Sequence, residues 1–148
     1  MKASIQRGIR FYNTKRYKQA LEEFRSLDED PSENSELAYY IGLTLTQLER
    51  YDEALVYLEQ VVSSHTGFLH IYQSRMILGY IYSITGRYRL AEFEFQKLLE
   101  LGMESIQIYS SLGYIFYATG RVKEGVEMLE KALGLDPEKA VLFRQSDV

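Results

Sequence analysis

His65 and His70 are the only histidines in the chain, and there is no cysteine beside them. A helical metal site wants ligands three or four residues apart, so that both point from one face. These two stand five apart in an irregular stretch, with no carboxylate close by in sequence. They read as surface loop residues, and neither a metal nor another cofactor is expected. The lack of cysteine also removes thiolate nucleophiles and disulfide scaffolds. A catalytic serine needs a base held next to it, and no Ser–His arrangement presents one. No glycine-rich phosphate loop occurs, and no strand precedes a place where one could form. Carboxylates do gather in Asp28-Glu29-Asp30-Pro31-Ser32-Glu33. That run reads as a turn into a helix start, where acids suit the positive end of the helix dipole. With no acid, base or nucleophile in a workable constellation, the chain is expected not to be an enzyme.

Charge and hydropathy narrow the partners. The 148 residues carry a formal charge of −4, with a pI near 5.3. A nucleic-acid surface needs a basic patch to displace counterions, so no nucleic-acid partner is expected. The N-terminal stretch MKASIQRGIRFYNTKRY is broken by Lys2, Arg7, Arg10, Lys15 and Arg16, which leaves no secretory apolar core. The longest apolar-rich stretch, Met76 to Ile84, is interrupted by Gly79 and Ser83. It falls short of the roughly 20 residues of a spanning helix. Neither membrane insertion nor export is expected, and a cytoplasmic location is.

The elements that would position any site come from an internal repeat, the first thing to seek in a chain of this length. Four segments align without gaps: Asn13 to Tyr17, Gln47 to Tyr51, Ile84 to Tyr88 and Ala118 to Val122. Their arginines, Arg16, Arg50, Arg87 and Arg121, are spaced 34, 37 and 34 residues apart. Eight residues before each stands Gly8, Gly42, Gly79 or Gly113. Four after each stands Ala20, Ala54, Ala91 or Gly125, and four further on Phe24, Leu58, Phe95 or Leu129. Apolar residues around the glycines recur at helical spacing, as in Leu112, Gly113 and Phe116. Each unit therefore reads as two helices joined by a tight turn. A helical glycine costs roughly 1 kcal/mol against alanine, so four at one register argue for helices crossing closely. The arginines fall near the ends of the first helices, where a cation can satisfy the dipole and the last carbonyls. Asp30-Pro31 and Asp136-Pro137 close the first and last units.

This pattern resembles the tetratricopeptide repeat family over nearly the whole chain. The resemblance implies an all-α fold, a right-handed superhelical solenoid of four helix-turn-helix repeats plus a short C-terminal capping helix. The chain would be a single array, residues 1–148, with repeats near 1–34, 35–68, 72–105 and 106–139. Residues 138–148, with Val141, Leu142 and Phe143, would cap the last repeat, because an open terminal repeat exposes apolar surface. The three extra residues between units two and three fall within Ser63 to His70.

In such a stack the first helices line the concave surface. The face next to the glycine register then presents Ile5, Ile9 and Tyr12 from the first unit, and Tyr39 and Leu43 from the second. Met76 and Tyr80 follow from the third, and Tyr114 and Tyr117 from the fourth. Charge on this face is nearly absent, and a tyrosine-rich strip at a surface is a mark of an interface. These nine residues are the candidate groove for an extended or helical peptide. Family members that hold a C-terminal carboxylate use a cationic clamp on this face. The matching offsets here carry Ile5, Ile9, Tyr40, Gln73 and Ile77, so no preference for acidic C-terminal tails is expected. The chain is read as a non-enzymatic protein-interaction scaffold. The alternatives are a homo-oligomerising adaptor and a small chaperone-like protein that shields apolar client segments.

Overall fold

Three of the first helices start on side chains that accept backbone N–H bonds. Ser4 Oγ accepts from Arg7 N–H, Asn34 Oδ1 from Leu37 N–H and Ser105 Oγ from Ile108 N–H, each at 3.1 Å. Such caps satisfy donors that no helical carbonyl can reach. The computed structural model describes residues 3–64 and 70–135. Among them the regular structure is wholly helical. In chain order it runs α1 (Ile5–Asn13), α2 (Tyr17–Arg25), a 3-10 turn (Pro31–Glu33), α3 (Ser35–Gln47) and α4 (Tyr51–Ser63). Then follow α5 (Ile71–Ile84), α6 (Tyr88–Glu100), α7 (Ile106–Ala118) and α8 (Val122–Leu135). The acidic run behaves as a cap: Asp30 accepts from Ser32 N–H at 2.9 Å at the head of the 3-10 turn, and that bond lowers its pKa.

The turn inside each unit is closed by backbone, and each arginine of the ladder contributes its main-chain N–H to it. Lys15, Glu49, Gly86 and Gly120 all take the left-handed conformation, with φ between 58° and 81°. The next N–H, that of Arg16, Arg50, Arg87 or Arg121, donates back to Phe11, Leu45, Tyr82 or Phe116 carbonyl at 2.7–2.9 Å. The left-handed residue itself bonds three positions back, as in Lys15 N–H to Tyr12 carbonyl at 3.0 Å. These two bonds are the Schellman arrangement. The arginine main chain therefore closes the first helix and starts the second. The guanidinium of Arg50 pairs with Glu53 at 2.7 Å, and that of Arg121 grips Glu92.

The glycine register does what its spacing implies. A Cβ on Gly8 would collide with the Phe24 ring, and one on Gly42 would lie 2.7 Å from Leu58. At Gly113 the nearest Leu129 carbon would be 3.1 Å away, and Gly125 stands 3.2 Å from the Gly113 carbonyl by the same measure. Gly8, Gly42 and Gly113 each let the first helix of a hairpin meet the large side chain that the second helix points at it, and Gly125 lets the second helix approach the first.

The chain divides into two compact units, Met1–Ile81 and Tyr82–Val148, with the division falling inside α5. In the first, α1 packs on α2, α3 packs on both, and α3 packs on α4. Its core includes Ala20, Phe24, Leu37, Ile41, Leu45, Ala54, Leu58 and Val61. In the second, α6 packs on α7 and α7 on α8, around Phe95, Leu98, Ile108, Leu112, Ile115 and Phe116. One register position separates the hairpins: Phe24, Leu58 and Phe95 are 1%, 0% and 1% exposed, but Leu129 is 36% exposed. The expected cap over 138–148 lies outside the described residues, as do His65 and most of the longer connection after Ser64. No helix among the described residues is long and apolar enough to cross a membrane.

Candidate functional site

In the first unit the candidate residues fall into a packed aromatic body and an open fringe. Tyr39 is only 7% exposed, so it is a wall residue and not a contact surface. Its ring lies face to face with His70, centroids 4.6 Å apart and planes 7° from parallel, and edge-on to Tyr40 at 5.1 Å. Burial, with smaller contributions from Tyr40 and Tyr12, pushes its hydroxyl up to about 12. The expectation of an exposed Tyr39 fails because α3 is apolar around most of its girth. Leu37, Ala38, Tyr39, Ile41, Gly42, Thr44 and Leu45 are all buried, so the face beside the glycine is a packing face as well. His70 also departs from the surface-loop reading, since it is half-buried under Tyr39 at the start of α5.

Tyr12 continues this body. It sits 5.4 Å from Tyr17 and 6.5 Å from Tyr40, while Tyr40 stacks on Phe24 at 6.1 Å. Burial raises the Tyr12 pKa, against a hydrogen bond with Gln47 that lowers it. Burial, then the charge of Glu36, raises that of Tyr40. Ile5, Ile9, Leu43 and Met76 are half-buried, while Tyr80 on α5 is exposed. Its hydroxyl shares a hydrogen bond with Tyr51, whose pKa rises through burial and then through Tyr80.

The second unit repeats the hydroxyl pair with different helices. Tyr114 on α7 is exposed, yet it shares a hydrogen bond with Tyr88 at the start of α6, and that bond is the main cause of the raised Tyr88 pKa. The two rings meet edge-on at 6.2 Å. Tyr117, also exposed, flanks an apolar cavity between α7 and α8. Nearby, Arg121 makes a two-pronged bond to Glu92, at 3.1 and 2.7 Å, with its guanidinium 4.5 Å from the Phe116 ring centre. The Glu92 bond raises the Arg121 pKa.

Tyr51 and Tyr88 were not among the expected site residues, although a signal existed. Tyrosine follows the repeat arginine in three units, at Tyr17, Tyr51 and Tyr88, and follows the glycine at Tyr80 and Tyr114. The two columns meet as hydroxyl pairs, leaving ring faces open to solvent and hydroxyl lone pairs available to a ligand. Such a surface can take apolar side chains on the rings and main-chain N–H donors on the oxygens.

Comparison with known proteins agrees with this architecture. One tetratricopeptide repeat model matches residues 72–101 and 106–139, and a second matches 38–66. The chain belongs to the tetratricopeptide repeat family. Among solved structures it is similar to MamA MSR-1, at 26% identity and TM-score 0.77, covering 89% of this chain and 74% of that one. It is also similar to MamA 41-end from Desulfovibrio magneticus RS-1, at 24% identity and TM-score 0.79, covering 90% and 74%. A further MamA crystal structure aligns at 20% identity and TM-score 0.79, covering 92% and 78%. No curated protein matches the chain.

Proposed function

We propose that this protein is a non-enzymatic scaffold that holds a segment of a partner protein on the tyrosine-bearing faces of its first helices. The family membership and the likeness to MamA support a protein-interaction scaffold. The observation that carries the finer reading is the state of Tyr80 and Tyr114. Each is already hydrogen-bonded to a tyrosine of another helix, yet each leaves about half of its surface open, 48% and 55%. Tyrosines needed only to join helices gain nothing from that exposure, whereas rings held in place by a hydroxyl partner offer a preorganised apolar contact. Tyr12, Leu43 and Met76 belong to the face of the first unit, and Tyr117 belongs to that of the second. Tyr39 takes no part except as the wall behind Tyr40.

The test is a pull-down comparing the parent chain with Tyr80→Glu, Tyr114→Glu and the double variant, read by mass spectrometry. Helicity is matched first by circular dichroism. A protein retained by the parent, weakened by each single change and lost by the double change supports the reading. Prey shared equally by all four chains overturns it, because a carboxylate on either face would not leave such a contact intact.

A further inference from the structure

The first hairpin holds a charge imbalance that the tyrosine faces do not use. Residues 1–21 contain six of the chain's 17 lysines and arginines and none of its 21 acids. The rest of the chain therefore sets 11 cations against 21 acids. Three of the six, Arg7, Arg10 and Arg16, line one cleft of about 300 Å³ together with Phe11 and Thr14. The cleft lies where α1 gives way to α2, and no side chain caps α2 there. The carbonyl pole of one helix is offset by the N–H pole of the next, so the guanidinium groups decide the sign.

Arg16 differs from two of its repeat counterparts. Arg50 holds Glu53, three residues on, and Arg121 holds Glu92, each at 2.7 Å. In the first unit the residue three positions on is Gln19. Arg10 and Arg16 are exposed, and among the described residues neither side chain pairs with a carboxylate. Arg7 is held in place, 5.6 Å from the Phe11 ring centre and 3.7 Å from Glu23, which also accepts from Ser4 N–H. The Thr14 hydroxyl is turned to the Arg10 and Phe11 carbonyls, at 3.0 and 3.1 Å, so the donors offered to the cleft are guanidinium groups. With Arg7 offset by Glu23, the cleft keeps an excess of about two positive charges, which matches the charge of roughly −1.5 to −2 on a phosphate monoester at neutral pH. Guanidinium forks also fit phosphate oxygens two at a time. A single carboxylate would leave half of the excess unmatched. An extended polyanion would meet the acidic remainder of the chain, which a single phosphoryl group escapes beyond a screening length of about 8 Å.

We propose that this cleft binds a phosphorylated side chain of a partner protein, with Arg10 and Arg16 gripping its oxygens and Arg7 completing the charge from its seat on Phe11. The occupant is a phosphorylated protein segment, not a nucleic acid and not a lipid surface. Because a lone carboxylate matches the cleft poorly, the site adds no preference for acidic tails. It is separate from peptide binding at Tyr80 and Tyr114, and neither stands on the other.

Titration of the full chain with a short neutral peptide carrying one phosphoserine tests it, followed by NMR through the arginine side-chain N–H signals. The same peptide with serine or glutamate in that place is the comparison. The phosphoserine peptide should move the Arg7, Arg10 and Arg16 signals and bind at least about tenfold more tightly than the glutamate peptide. Its binding should weaken as pH falls from about 7 to about 5, through the second phosphate ionisation near 6. Arg10→Gln and Arg16→Gln should each weaken it roughly three- to tenfold, and together by more than about tenfold. Both side chains are exposed and carry no structural ion pair, so the fold is kept. Lys18→Gln removes the same charge from an exposed residue outside the cleft and should change the affinity less than about twofold. A loss as large in Lys18→Gln, or a glutamate peptide that binds equally well, overturns the proposal. So do arginine signals that stay still on adding the phosphoserine peptide. Co-sedimentation with phosphatidylserine vesicles that depends on Arg10 and Arg16, without phosphopeptide binding, would give the face to a membrane and overturn it. Arginine shifts that grow with protein concentration alone would seat the acidic run of a second copy there, and overturn it as well.

Discussion

The α1–α2 and α7–α8 hairpins carry one pattern and lead different lives. Both cross at a glycine, Gly8 or Gly113, against a large side chain, Phe24 or Leu129. In the first hairpin α3 closes over the crossing, and Phe24 is lost to solvent. In the last, the same position stays one-third open. The turns differ too. Lys15 forces a side chain into the left-handed region, whereas Gly120 enters it without a Cβ to object. A repeat position therefore has no fixed energetic value. Its worth depends on what the next element lays over it.

The largest difference should appear on truncating the crossing side chain. Phe24→Ala should cost about 3–5 kcal/mol, the range for emptying a closed aromatic site. Leu129→Ala should cost only about 1 kcal/mol, because its cavity is already open and part of its surface already wet. Chemical denaturation followed by circular dichroism measures both. Equal losses would mean the two crossings are buried alike and would break the comparison.

Adding a methyl at the glycine should separate the hairpins next. Gly8→Ala drives Cβ into an immobile ring and should cost about 1–3 kcal/mol. At Gly113 the contact is 3.1 Å to Leu129, and that side chain has room to move, so Gly113→Ala should cost no more than about 1 kcal/mol. A Gly113→Ala loss as large as that at Gly8 would show Leu129 to be held as rigidly as Phe24.

Alkali sharpens the contrast from another side. The Tyr39 hydroxyl is pushed up to about 12 in the fold, against about 10 in the unfolded chain. Between those values the native state holds a proton that the unfolded state has released, so stability falls as pH rises through the window. The contribution of this group is whole below pH 10 and should be lost as pH rises through about 12, on the order of 2–3 kcal/mol. Tyr39→Phe should flatten that part of the stability curve. A variant curve as steep as the parent's would remove Tyr39 as the cause.

The smallest effects concern the turns. Lys15→Gly and Glu49→Gly should each stabilise by about 0.5–1 kcal/mol, since the relief of a left-handed side chain outweighs the added chain entropy. Gly86→Ala and Gly120→Ala should each destabilise by about 1 kcal/mol for the reverse reason. Thermal midpoints suffice as the readout. Opposite signs in the two sets would confirm that these positions are one structural column.

Much of this was readable from residues alone because the repeat supplies its own internal comparison. Four glycines paired with four large side chains at one spacing can hardly mean anything but close helix crossings, and Gly8, Gly42 and Gly113 behave accordingly. The aligned turns were equally legible, but the atoms that close them were not. The arginine stands out in the alignment by its side chain, while its N–H does the capping, and Lys15 and Glu49 hide the column that Gly86 and Gly120 reveal. Tyr39 was misplaced for a different reason. Helical offsets tell which residues share a face, but not how many neighbours surround the helix, and α3 is wrapped widely enough to bury the face assigned to ligand. The pairing of Tyr51 with Tyr80 and of Tyr88 with Tyr114 depends on one hairpin meeting another, which no spacing within a hairpin encodes.

The turns also bear on how such a chain can grow and diverge. Each is closed by main-chain hydrogen bonds and one residue of positive φ, with no obligatory side-chain partner elsewhere. A hairpin copied by duplication thus carries its own punctuation with it, and needs no second mutation to turn correctly. The spacing of 34, 37 and 34 residues records the freedom this leaves: length varied in the connection between hairpins while the turns within them kept their length. Freed from capping, the arginine side chain could be recruited separately in each copy, to Glu53 in one and to Glu92 in another.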